Sequence, residues 1–192
     1  MAISHIGTGV EIANVETERS EEALTCNRYY DVAKEATLSD FNWPFATKSK
    51  ALNLITTNPT TEWGYSYAYP NDCLRIVRAL SGIRNETYSE KIPYAVKKSA
   101  AGVEIYSDQD TLSIEYIENI DNTEIFTPSF VMALSYRIAY YIIPRLGKGD
   151  PFKMKNELWA YYQREIAMAM ANAANDVRRD PKPESELIKS RF

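Results

Sequence analysis

The sequence predicts an α+β fold: an antiparallel helical bundle, with helices near 20–38, 128–146 and 151–178, that carries an inserted small antiparallel β-sheet region and ends in an extended C-terminal arm. Three observations predict it. Apolar residues recur every three or four positions near both ends of the chain, which is the period of a helix. Between about Phe45 and Ile125 the period changes to two, which is the period of a strand. Beyond Asp180 the segment PKPESELIKSRF has two prolines and no room for a packed face. The 192 residues, 45% hydrophobic and 25% charged, suffice for one well-buried domain. We therefore expect a single domain over 1–180, with a helical body (1–44 and 127–180), a β insertion (45–126) and an arm over 181–192.

The first helix opens at Ser20, a capping residue followed by Glu21 and Glu22, whose negative charge suits the positive end of the helix dipole. Leu24, Tyr29, Val32, Ala33 and Ala36 keep helical spacing through about Leu38. Asn42-Trp43-Pro44-Phe45 ends the helix, because the residue before a proline is pushed out of the α region. Trp63, Tyr65, Tyr67 and Tyr69 then share one face of a strand, with Glu62, Gly64, Ser66 and Ala68 on the other. Leu74–Leu80, Ile92–Lys98, Val103–Ser107 and Leu112–Ile120 read as further strands. Thr127-Pro128 is a cap followed by a first-turn proline, and the apolar run Phe130–Ile143 suits the central helix of a core, stopped by Pro144 and Gly147. After the GKGDP turn, Met154, Leu158, Tyr162, Ile166, Ala169, Ala173 and Val177 mark a longer helix, whose AMAMANAA stretch permits close backbone approach.

Several chemistries are excluded by what the chain lacks. It has one histidine, His5, with neither a cysteine nor a second histidine beside it, so no His/Cys metal cage can be assembled. A Ser-His-Asp or Cys-His triad would rest on His5 alone, in an N-terminal segment expected to be mobile. There is no GxGxxG, P-loop or HExxH motif. Asp108-Gln109-Asp110 suits a turn between strands better than a cation site. Cys26 and Cys73 are too few for a disulfide framework and read as buried thiols in a reducing compartment. The start MAISHIGTGVEI lacks the basic and apolar regions of a signal peptide. Phe130–Ile143, interrupted by Arg137, falls below the roughly 18 residues a spanning helix requires, so we expect a soluble protein with no membrane partner.

Charge is unevenly distributed behind a net value of −4. Residues 1–40 hold eight acids and three bases, residues 128–192 seven and eleven, and residues 100–127 seven acids and no base. Glu104, Asp108, Asp110, Glu115 and Glu118 in that stretch are either a solvated sheet face or an acidic wall that repels DNA phosphates in a channel. The aromatic face Trp63, Tyr65, Tyr67, Tyr69 is either core or subunit contact, or a stacking platform for sugars or single-stranded nucleic acid. Its alternate residues are not the interleaved bases that such platforms carry. In the arm, Leu187, Ile188 and Phe192 lie next to Lys189 and Arg191, a composition suited to docking in a groove.

The succession Ser20-Glu21-Glu22-Ala23, Cys26, Tyr29-Tyr30-Asp31, Leu38, Trp43-Pro44-Phe45-Ala46 and Ala51-Leu52 resembles the N-terminal half of the head-to-tail connector adaptors of short-tailed bacteriophages, the tail tubular protein A family. Trp63-Gly64-Tyr65, then Tyr67-Ala68-Tyr69-Pro70-Asn71-Asp72-Cys73-Leu74-Arg75, is similar to that family's aromatic strand and Pro-x-Asp-Cys-Leu-Arg turn. The helical hairpin from Pro128 to about Arg179 and the terminal Ser190-Arg191-Phe192 fit as well, so the resemblance spans nearly the whole chain. It implies a structural virion protein: a dodecameric ring of copies of this chain below the portal protein ring, extending the DNA conduit and presenting a surface to the tail nozzle protein. DNA passes through without sequence recognition, and the protein resides in the virion at the portal-tail junction after synthesis in the host cytoplasm. No catalytic residue, cofactor or metal is implied. Leu187, Ile188, Arg191 and Phe192 are the implied portal contacts, and the acidic strands the implied lumen wall. Two other readings stay open: a carbohydrate- or nucleic-acid-binding module using the Trp63–Tyr69 strand, and a hydrolase working through a pair of carboxylates.

Overall fold

The computed structural model describes residues 1–176 apart from residues 8, 10, 16, 84–89, 100, 101, 148 and 149. Its longer helices begin where the side chains supply caps. Helix α2 (Glu21–Asp40) starts with the Ser20 hydroxyl accepting from the Ala23 N–H at 3.3 Å. Helix α3 (Pro128–Leu146) starts with the Thr127 hydroxyl accepting from the Phe130 N–H at 3.4 Å, and Pro128 needs no donor at that position. Helix α4 (Pro151–Asp176) starts with the Asp150 carboxylate accepting from the N–H groups of Phe152 and Lys153 at 3.0 and 3.3 Å. Pro144 does not stop α3 but sits inside its last turn, where Gly147 closes the helix by donating to the Ile143 carbonyl at 2.8 Å.

The N-terminal segment is folded rather than loose. Helix α1 (Ala2–His5) packs on α3 and buries Ile3 and, just beyond its end, Ile6. A single turn is too short to show a period, so nothing in the sequence marks it as a helix.

Among the described residues seven strands form two antiparallel sheets. The first has the order β1-β7-β4, from strands Thr47–Ala51, Ser113–Glu118 and Cys73–Ala79. The second has the order β2-β3-β6-β5, from Leu54–Thr57, Tyr65–Ala68, Gly102–Ser107 and Ala95–Ser99. The expectation of a helical bundle with one small inserted sheet is thereby corrected: the fold is α+β, but the β region is two sheets with a core of its own. The first sheet belongs to both cores. Ile117, Leu74 and Val77 pack with the helices, whereas Ile114, Tyr116, Cys73, Ile76 and Ala79 pack with Tyr67 and Ile105 of the second sheet. The helices do not close a bundle because Trp43, Phe45 and the first sheet cover α3 where a further helix would lie.

Strand β4, expected over Leu74–Leu80 and found at Cys73–Ala79, packs on both faces without strict alternation. Its register against β7 shifts between Cys73 and Arg75 and again between Ile76 and Arg78. Each bulge adds a residue, so Cys73, Ile76 and Ala79 face one core at three-residue spacing, while Leu74 and Val77 face the other.

Candidate functional site

The segment Pro70–Arg75, the most distinctive motif in the sequence, leads from β3 into β4, and its side chains tie the first sheet to α2. The Cys73 N–H donates to the Pro70 carbonyl at 3.1 Å, and the Asp72 carbonyl accepts from the Asn119 N–H at 2.8 Å. The Asp72 carboxylate accepts from Lys48 Nζ at 3.0 Å and from the Tyr116 hydroxyl at 3.0 and 3.1 Å. Lys48 also reaches Glu118 Oε1 at 2.5 Å, so one ammonium group joins carboxylates on either side of it. Burial alone would raise the Asp72 pKa, but the hydrogen bonds from Lys48 and Tyr116 outweigh it and hold the carboxyl at about 2. Burial and the bond to Asp72 push the Tyr116 phenol up to about 12.

The rest of the motif is anchored in the same way. The Cys73 thiol donates to the Tyr69 hydroxyl at 3.2 Å, and burial raises its pKa, so it is a packed thiol rather than a nucleophile. Arg75 Nε donates to the Ser39 carbonyl at 3.0 Å, and its guanidinium reaches Asn42 Oδ1 at 2.5 Å. It thereby satisfies the carboxyl end of α2 with a cation, the favourable sign at that end. Asp72, Cys73 and Arg75 thus each have a structural partner.

The aromatic strand is divided. Tyr67 is 1% exposed, its hydroxyl donates to the Gln109 carbonyl at 2.5 Å, and Tyr65 and Tyr69 pack beside it between the sheets. Trp63 precedes the strand and is half-buried, its backbone N–H donating to the Thr60 hydroxyl at 3.2 Å. The strand itself is shorter than the aromatic run, spanning Tyr65–Ala68.

The five acids nominated for a lumen wall do not share one face. Glu104 lies buried on β6 of the second sheet and accepts from the Ser99 hydroxyl. Glu115 and Glu118 lie on β7 of the first sheet at positions of opposite parity. Glu115 pairs with Arg78 at 2.7 Å, and Glu118 with Lys48. Asp108 and Asp110 are exposed in the turn between β6 and β7, where Asp108 accepts from the Gly64 N–H at 3.0 Å. The turn reading of Asp108-Gln109-Asp110 thus has a backbone reason. The proposed portal contacts Leu187, Ile188, Arg191 and Phe192 lie outside the described residues.

Two arrangements escaped the sequence reading. His5 stacks on Tyr136 with ring centroids 4.2 Å apart, and its Nε2 lies 3.0 Å from the Ser135 hydroxyl. That hydroxyl already donates to the Met132 carbonyl at 2.8 Å, so it accepts from His5 Nε2–H. The pair is a latch holding α1 on α3, and the polarity of its hydrogen bond is the reverse of the one a serine nucleophile needs. The second arrangement links the long helices. Arg137 of α3 donates to Asp40 of α2 and, at 2.7 Å, to the Tyr162 hydroxyl of α4, which itself donates to Asp40 at 2.7 Å. The sequence shows Arg137 only as an interruption of an apolar run, because its partners lie far away along the chain.

A cleft of about 910 Å³ lies between α1, the segment around Ile12 and Val15, and α2. Its charged lining is Glu11, Asp31, Asp121 and the buried Lys34, which is bonded to Asp121 at 2.7 Å. Among the described residues no group of three or more His, Cys, Asp or Glu is placed to hold a metal ion. No described helix is long and apolar enough to cross a membrane. No protein-family model and no curated protein matches this chain.

Proposed function

We propose that this chain is a head-to-tail adaptor of a short-tailed bacteriophage, forming a ring between the portal and the tail nozzle and extending the DNA conduit. The observation that carries the reading is the Tyr67–Arg75 motif with its preceding Trp63-Gly64-Tyr65, set in a chain that resembles the tail tubular protein A family from Ser20 to Phe192. The structure is compatible with a framework role for that motif, since Asp72 bonds strand β1 and Arg75 bonds α2 while Cys73 is held by Tyr69. The competing module that stacks sugars or bases on the Trp63–Tyr69 strand loses most of its platform, because Tyr67 is buried between the sheets with Tyr65 and Tyr69 beside it.

In this reading the arm over 181–192 reaches the portal through Leu187, Ile188, Arg191 and Phe192. Burying one large apolar side chain contributes about 1.5–3 kcal/mol, and repetition around a ring multiplies the effect through avidity. The protein works without cofactor or metal and performs no catalysis. The test is native mass spectrometry of the portal ring from the same genome mixed with the full chain, or with a chain ending at Asp180. The full chain is expected to add a ring of subunits and the shortened chain none. A portal that takes up neither chain overturns the adaptor reading, and one that takes up both overturns the role of the arm.

A further inference from the structure

The cleft between α1 and α2 is built to hold a ligand of a particular kind. Ile3, Ile12, Val15 and Ile138 give it apolar walls, and Val15 is 42% exposed. Glu11 and Asp31 are exposed at its rim and carry no ion pair among the described residues, whereas Asp121 is already paired with Lys34. The amino group of Met1 is the other cation of the lining, and the exposed Arg28 of α2 lies outside it. With Lys34 and Asp121 cancelling, the two acids outweigh the one amino group. Apolar walls with a few convergent charges are the make-up of a binding site, and these charges ask for an apolar ligand that carries cations.

The chain beyond α4 supplies such a segment from the right direction. Helices α3 and α4 run antiparallel, with Tyr140 against Trp159 and Tyr136 against Tyr161. That register brings Met170 level with Pro128, so α4, which continues to Asp176, ends about 9 Å past the start of α3. Asp121 and Thr123 of the cleft lie just before that same start. The sixteen residues from 177 to 192 follow and lie outside the described residues. Fully extended, sixteen residues span on the order of 50 Å, against about 28 Å for the whole length of α3, so the cleft is within their reach. Leu187-Ile188-Lys189-Ser190-Arg191-Phe192 combines three large apolar side chains with two cations and no acid, and Glu184 and Glu186 fall before it.

We propose that residues 187–192 fold back into the cleft of their own chain, with Leu187, Ile188 and Phe192 on its apolar walls and Lys189 and Arg191 toward Glu11 and Asp31. Tethering favours the chain's own cleft over that of another copy, because it holds the segment at an effective concentration on the order of millimolar. The side chains involved are those proposed to contact the portal, so the cleft and the portal compete for them. Their release by the portal rests on the adaptor reading, whereas the fold-back does not.

Cys26 lines the cleft and Cys73 packs between the sheets, so the chain carries both a probe and a control. The test labels the full chain with N-ethylmaleimide and follows each thiol by peptide mass spectrometry, over a protein concentration series and with or without the portal ring. Leu187→Asp combined with Ile188→Asp is expected to speed labelling of Cys26 at least about tenfold, the factor that burial of one large apolar side chain supplies, and to leave Cys73 unchanged. Asp31→Lys is expected to speed it about threefold, and to add nothing once the arm is already substituted. The portal ring is expected to bring the unsubstituted chain to the rate of the arm variant. Equal Cys26 rates in the unsubstituted chain and the arm variant would overturn the proposal. So would protection that grows with protein concentration, which assigns the segment to the cleft of a second copy. Protection of Cys26 in a chain that the portal does not take up leaves the fold-back standing and removes the adaptor reading. Portal uptake with equal rates does the reverse.

Discussion

The two faces of the first sheet rest on different kinds of core. On the helix side the contacts are apolar and aromatic: Trp43 meets Phe130 edge to face at 5.0 Å, and Phe45 meets Phe130 in the same way at 5.2 Å. On the strand side the large buried rings are tyrosines, and their hydroxyls are tied to Gln109, Asp72 and Cys73. A buried tyrosine must satisfy its polar end, so a layer built from tyrosines is only as thick as one ring reaching from the middle to a polar rim. The comparison teaches that the helix side rests mainly on burial, with one charge network of Arg137, Asp40 and Tyr162 joining its helices, whereas in the strand side the core rings themselves are hydrogen-bonded and lie beside the charge cluster of Lys48, Asp72 and Glu118. The two sides stay coupled because Tyr116 and Ile117, neighbours on β7, each belong to one of them.

The largest break should come from the helix side. Trp43 is 2% exposed and also donates its indole N–H to the Thr37 carbonyl at 2.9 Å. Trp43→Ala is expected to cost about 3–5 kcal/mol, lowering the melting temperature by about 10 °C. On the strand side Tyr116→Phe keeps the ring and removes one hydroxyl, and should cost about 1 kcal/mol. Both losses should appear in one cooperative calorimetric transition. Two separate transitions in Tyr116→Phe would show instead that the sheets unfold apart.

Next in size is the charge network that joins the helices. The Arg137 side chain is 12% exposed. Arg137→Met keeps its length but leaves the partly exposed Asp40 with only Tyr162, and is expected to cost about 2 kcal/mol, less than a fully buried pair would lose. Adding Asp40→Asn should recover part of that loss, so a double-mutant cycle in urea that shows no coupling would remove the network from the stability of the helical layer.

The charge cluster on the strand side gives a pH signature at the acid end of the range. Asp72 is held at about 2 against an ordinary value of 3.8, so its contribution is present above about pH 4 and is lost as pH falls toward 2. Its side chain is one-third exposed, which reduces the effect to about 1 kcal/mol. Urea midpoints measured from pH 6 to pH 2 should therefore fall more steeply in the unsubstituted chain than in Asp72→Asn, and parallel curves would disprove the assignment.

How legible each region was follows from the same contrast. The helix side declared itself through local signals: Ser20, Thr127 and Pro128 mark helix starts, and α2 and α3 begin one residue after their caps. On the strand side β3 to β7 were legible as strands, but their division into two sheets with a core of their own was not, because the first sheet is shared between two cores and β4 carries two bulges that replace alternation with a three-residue spacing. Strands β1 and β2, TKSKA and LITT, are largely exposed and have no apolar alternation to read. The Tyr67–Arg75 motif stood out in the sequence, but the reason for Asp72 lies in Lys48 and Tyr116, 24 and 44 residues away, which only the fold brings to it.

The smallest expected effect is local and belongs to the edge of the helix side. Burial, with the nearby amino terminus of the chain, lowers the His5 pKa from its ordinary 6.5. The folded state therefore resists the proton that an unfolded His5 takes up, so the latch is fully stable above about pH 6.5 and loosens as pH falls through the lowered value. Tyr136 lies against the imidazole ring, and the one polar side chain bonded to it, Ser135, is neutral, so no carboxylate in contact offsets the added charge. Hydrogen exchange of α1 should accelerate between pH 7.5 and pH 5.5 after correction for the intrinsic rate, while the middle of α3, anchored by Ile138 and Ile142, stays protected. In His5→Gln the pH dependence at α1 should vanish. Persistence of that dependence in His5→Gln would assign the loosening to another group and end the latch's claim to be pH-sensitive.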